Sequence, residues 1–121
     1  MLKLLIVEDS QAMRNLMKSI LQDMADEITE CGDGAEALPA YTRCRPDLVL
    51  MDIHMKEMDG ITATRHIKAS FPEARIMIVT DFDEALLRAA ALQAGACEYV
   101  TKENLHDLPN IICGRQHRTA S

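Results

Sequence analysis

The run Leu48-Val49-Leu50-Met51-Asp52, followed by Ile53-His54-Met55-Lys56-Glu57-Met58-Asp59-Gly60, decides how the chain is read. An unbroken apolar stretch of strand length that ends in an acid is the pattern of a strand buried on both faces of a parallel sheet. Its last residue is delivered to the sheet edge. Ligands of open α/β sheets bind outside the carboxyl ends of the strands, so Asp52 stands where chemistry is done.

Moving toward the N-terminus, Leu4 to Val7 forms a first strand that runs into Glu8-Asp9-Ser10. Met13, Leu16, Met17, Ile20, Leu21 and Met24 then recur at helical spacing, with Ser10 placed to cap the helix. Ile28 to Cys31 is a short second strand between polar and turn-forming flanks, Asp26-Glu27 and Gly32-Asp33-Gly34. A helix over roughly Ala35 to Arg43 follows, and Pro39 is expected to kink or shorten it.

Moving toward the C-terminus, Gly60 opens a helix with Ile61, Thr64, Ile67 and Phe71 on one face, stopped at Pro72. Ile76 to Val79 is a fourth buried strand ending in Thr80. Asp83 is expected to cap the next helix and Gly95 to close it. Glu98 to Val100 runs into Thr101-Lys102, and Leu105, Leu108, Ile111 and Ile112 mark a last helix. Five strands alternate with five helices, which demands a parallel sheet with right-handed crossovers and helices on both faces.

With 121 residues, 48% hydrophobic and 26% charged, the chain holds one core and no second domain. A net charge of −6 argues against direct nucleic-acid binding and against an anionic membrane surface. The apolar run Leu4 to Val7 is too short for a signal peptide, so a cytoplasmic protein is expected. Cys31, Cys44, Cys97 and Cys113 form no C-x-x-C pair, which suggests free thiols rather than a zinc or redox site. There is no Trp, and the Met13/Met17/Met24 stripe reads as core.

The alternation brings Glu8, Asp9, Asp52, Thr80 and Lys102 to the same sheet edge. Carboxylates held ~4 Å apart repel by several kcal/mol at an effective dielectric near 20, so such a cluster calls for a cation. An all-oxygen site suits Mg²⁺, with Mn²⁺ able to substitute. Thr80 and Lys102 then offer a hydroxyl and an ammonium to a phosphoryl group on Asp52. This is the set that phosphoryl transfer requires, and its product is a hydrolysable acyl phosphate.

Taken together and in this order, Ile6-Val7-Glu8-Asp9, Asp52 through Asp59-Gly60, Ile78-Val79-Thr80 and Tyr99-Val100-Thr101-Lys102 resemble the receiver domain of two-component response regulators, chemotaxis regulators included. The resemblance spans Leu2 to about Ile112, with 1–114 as the receiver and 115–121 as a polar tail or the start of a linker. It implies a flavodoxin-like three-layer fold, α/β with a five-stranded parallel sheet of order 2-1-3-4-5 and five helices. It implies phosphorylation of Asp52 by a sensor histidine kinase or phosphotransfer protein. Glu8, Asp9, Asp52 and the His54 backbone carbonyl would hold Mg²⁺, Thr80 and Lys102 would contact the phosphoryl oxygens, and Tyr99 matches the switch aromatic.

By the same resemblance, movement of Thr80 and Tyr99 alters the face of helix four, strand five and helix five, which controls an effector domain or target protein, as in transcription regulation. A phosphorylation-dependent homodimer is a further form it allows. The chain would assist only its own phosphorylation and dephosphorylation and would not be an enzyme acting on other substrates. Three positions depart from the family pattern. Lys56 replaces the usual proline, which predicts a less rigid loop; Glu103 follows Lys102 where proline and a cis bond are frequent; and Asp81 puts an acid where a small residue is common. Asp81 is expected to slow phosphorylation or narrow donor choice, and Phe82, with His54, to shield the acyl phosphate.

Other readings are a docking module independent of phosphate, a phosphatase with an aspartyl nucleophile, and a flavodoxin. The intact acidic cluster argues against the first. The second lacks an insertion that would form a substrate pocket. The third would want Ser, Thr and Gly, not acids, after strand one.

Overall fold

The structure, a computed structural model, describes residues 2–120, with side chains through residue 114. Its strands are β1 (Lys3–Val7), β2 (Glu27–Cys31), β3 (Leu48–Met51), β4 (Ile76–Thr80) and β5 (Glu98–Thr101). All pair in parallel in the order β2-β1-β3-β4-β5, as expected. The helices are α1 (Gln11–Leu21), α2 (Ala37–Cys44), α3 (Gly60–Ser70), α4 (Ala85–Ala94) and α5 (Leu108–Ala120).

The twofold period of a strand sorts each apolar run between two cores. Leu4, Ile6, Leu48, Leu50, Met77 and Val79 face Met17 and Leu21 of α1 and Leu108 and Ile112 of α5. Leu5, Val7, Val49, Met51, Ile76 and Ile78 face Ala40 and Tyr41 of α2, Ile67 of α3 and Ala91 of α4. Every residue of β3 and β4 is buried, which is why neither run alternates with polar residues. Met17 is core, and Met13 and Met24 are half-buried against it.

Ser10 caps α1, accepting the Met13 amide at 3.2 Å, and Asp59 caps α3, accepting the Thr62 amide at 2.9 Å. Gly95 ends α4 at φ 112°, a left-handed conformation that favours glycine. No disulfide forms among the described residues, and burial pushes the Cys31 thiol up to about 11.

Three local expectations are corrected. Pro39 does not interrupt α2: a 3₁₀ turn over Gly34–Glu36 precedes the helix, and Pro39 lies in its first turn, where no intrahelical N–H is lost. Asp83 does not cap α4; Glu84 occupies the cap position without a side-chain bond, and Asp83 pairs with Arg88 at 3.2 Å. Leu105 belongs to a 3₁₀ segment, Lys102–Asp107, that precedes α5. The backbone of α5 runs on from there through Ala120.

Candidate functional site

Backbone pairing at the carboxyl edge builds the site. Asp52 N–H donates to the Val7 carbonyl at 2.9 Å, and Glu8 N–H donates to Cys31 at 3.0 Å, so the first residues beyond β1 and β3 stand side by side. Carboxylate oxygens of Glu8, Asp9 and Asp52 all lie within 4.8 Å of one another. Glu8 and Asp52 are buried, whereas Asp9 is exposed. Three hard oxygen donors so close together fit Mg²⁺ by their chemistry.

Lys102 reaches this cluster from the end of β5. Its Nζ is 2.7 Å from Glu8 Oε1, 3.6 Å from Asp52 Oδ1 and 3.8 Å from Asp81 Oδ2. Burial opposes its charge, but the hydrogen bond to Glu8 and the attraction of Asp52 win and raise its pKa. Burial raises both carboxyls above the usual range, with Lys102 opposing the shift in each. Glu8 Oε2 also accepts the Ser10 amide at 3.1 Å, and Arg14 donates to the Glu8 carbonyl at 2.6 Å.

Thr80 and Tyr99 converge on a different group. Thr80 is fully buried at the end of β4, and its hydroxyl accepts the Phe82 amide at 3.3 Å. Tyr99, buried beneath the Arg88 guanidinium, donates its hydroxyl to the Phe82 carbonyl. The backbone of Phe82 therefore joins both residues. Phe82 is 43% exposed, and its ring packs edge-on against His54 with centroids 4.5 Å apart.

The loop from Ile53 to Asp59 is held by residues that sequence reasoning did not single out. Asp33, buried in the turn after β2, accepts amides from Ala35 (2.9 Å) and Met58 (3.1 Å) on Oδ1 and from Glu57 (2.9 Å) on Oδ2. Burial would raise its pKa, but these amides outweigh it and hold the carboxyl below its usual value. Gly34 and Gly60 permit the close approach: a Cβ would lie 2.3 Å from the Met58 carbonyl oxygen at Gly34, and 1.8 Å from that of Asp52 at Gly60. Lys56, where proline was the family norm, thus sits in a loop tied down from outside. No cis peptide bond occurs among the described residues.

A groove of about 450 Å³ opens between α4, β5 and α5, lined by Arg88, Tyr99, Glu103 and Asp107 among others. No helix among the described residues is long and apolar enough to cross a membrane, and the first apolar run is the buried strand β1.

The chain belongs to the response regulator receiver domain family, whose model matches residues 4–112. It is 41% identical over 101 residues to the chemotaxis protein CheY of Bacillus subtilis, covering 83% of this chain and 84% of that one. A CheY-like receiver domain protein from Methanospirillum hungatei superposes with a TM-score of 0.89 at 25% identity, covering 98% and 95%. A chain of the CheX-CheY-BeF3-Mg²⁺ complex from Borrelia burgdorferi matches at 27% identity and a TM-score of 0.75, covering 83% and 77%. The chain is therefore a two-component response regulator receiver with a flavodoxin-like fold.

Proposed function

We propose that this receiver is switched by a phosphoryl group on Asp52, taken from a phosphohistidine of a sensor kinase or phosphotransfer protein in the cytoplasm. The P–N bond of the donor breaks as the P–O bond to Asp52 forms. Glu8, Asp9, Asp52 and the His54 carbonyl would hold Mg²⁺, which neutralises charge on the transferring group. Lys102, within 3.6 Å of Asp52, offers its ammonium to a phosphoryl oxygen, and Thr80 offers its hydroxyl.

The observation that carries this reading is the convergence of three carboxylates and one ammonium, drawn from three strand ends, on one point. Thr80 accepts the Phe82 amide, so a shift of its hydroxyl toward a phosphoryl oxygen would pull on Phe82, which is also the partner of Tyr99. That shared residue passes the change to β5 and to the α4–β5–α5 groove, where an effector domain or target protein is controlled.

Asp81 lies close enough to Lys102, 3.8 Å, to compete for its charge, which supports slowed phosphorylation. The His54–Phe82 ring pair supports shielding of the acyl phosphate from water.

Incubation with Mg²⁺ and a small phosphodonor, followed by intact-protein mass spectrometry, tests the assignment. One phosphoryl group should appear on the wild type and none on Asp52→Asn. An unmodified wild-type chain would leave a docking module independent of phosphate as the better reading.

A further inference from the structure

We propose that Asp33, outside the acidic cluster, is a positioning residue for the cation site, because it fixes the loop that carries the His54 carbonyl. The proposal rests on the switch reading above. The loop is pinned at one end where the Gly60 amide donates to the Ile53 carbonyl at 2.8 Å. Its other attachment is Asp33, whose two oxygens take the consecutive amides of Glu57 and Met58 from 24 and 25 residues away.

His54 lies between these two anchors. A carbonyl that is to serve as a ligand must already be placed, since ordering a loose segment at the moment of binding weakens affinity. Asp33 itself is well placed to do this work. It is 8% exposed, it is held by its own turn through Ala35, and Gly34 beside it lets the turn press against Met58. Outer partners that orient ligands commonly change metal affinity by about ten- to a hundredfold when removed.

The test is a Mg²⁺ titration followed by amide resonances in wild type, Asp33→Asn and Asp33→Ala, together with hydrogen exchange at Glu57 and Met58. Asparagine keeps the oxygen shared by Ala35 and Met58 but loses the acceptor for Glu57; alanine loses both. The expected result is graded: a few-fold weaker affinity for Asp33→Asn and about tenfold weaker for Asp33→Ala, with faster exchange at both amides. Equal losses in the two variants that vanish at high salt would show a remote charge effect and overturn the proposal.

So would a lowered melting temperature with unchanged Mg²⁺ affinity, the signature of a merely structural aspartate. If Asp33→Ala does not fold, Asp33→Asn decides alone: unchanged affinity at high salt overturns the proposal, and a retained few-fold loss supports it. A wild type that binds no Mg²⁺ would overturn the switch reading and this proposal together. Wild-type binding matched by both variants would overturn this proposal alone.

Discussion

The two loops that border Asp52 are attached in opposite ways. The one after β3 is clasped by Asp33, closed by the Gly60–Ile53 hydrogen bond and capped into α3 by Asp59. The one after β4 is exposed from Asp81 through Glu84, and α4 begins without a side-chain cap. Among its ties to β4 and β5 are the two at Phe82, held by one hydroxyl on each side. Under the proposed switch, rigidity would fall where ligands must be preorganised, and thin attachment where a rearrangement must be inexpensive.

Gly60→Ala should break the contrast most severely, because the new Cβ would fall inside the Asp52 carbonyl and drive the rigid loop apart. We expect a loss of more than about 3 kcal/mol in denaturant unfolding. A small loss would mean that the first loop yields as readily as the second.

Asp33→Asn comes next, at about 1–3 kcal/mol near neutral pH, since the Glu57 amide loses its charged acceptor. The pH dependence sharpens the point. The folded pKa of Asp33 is depressed, so its contribution is present above the ordinary aspartate value of about 4 and is lost as pH falls through the lower folded value. Asp52 has the reverse sign. Its folded pKa is raised, so its ionisation weakens the metal-free fold once pH climbs from about 4 through that higher value. Asp52→Asn should therefore raise the melting temperature at pH 7, with the gain shrinking in acid; a lowered temperature at pH 7 would contradict the sign.

Tyr99→Phe removes one of the two hydroxyls that hold Phe82 and should cost about 1 kcal/mol. Faster exchange should appear in the second loop only, and a spread to Glu57 or Met58 would merge the two regions. The smallest stability effects, within about 0.5 kcal/mol, belong to Phe82→Ala and Asp81→Ala. Their signature is kinetic: the acyl phosphate should decay faster in the first, and a small phosphodonor should react faster with the second. Unchanged rates would remove the roles given to these side chains.

The sheet was legible because burial on both faces leaves strands such as Leu48–Met51 and Ile76–Thr80 with unbroken apolar runs, each stopped by a polar residue at the working edge. Glu8, Asp9, Asp52 and Lys102 could be brought together from register alone. Asp33 could not, since its meaning depends on two turns meeting across 24 residues, and Asp-Gly reads locally as nothing more than a bend. Pro39 misled for a related reason: a helix start displaced by two residues moves a proline from a forbidden position to a harmless one. Asp83 was a plausible cap until Arg88, five residues on, claimed its carboxylate.

The short contact between Lys102 and Glu8 writes an order of events into a single carboxylate. Under the proposed switch, an ion held by Glu8 would draw on the carboxylate that Lys102 now contacts. Its arrival would weaken the hold on the lysine beside Asp52, so that loading the pocket and arming it for an anionic guest would become one step.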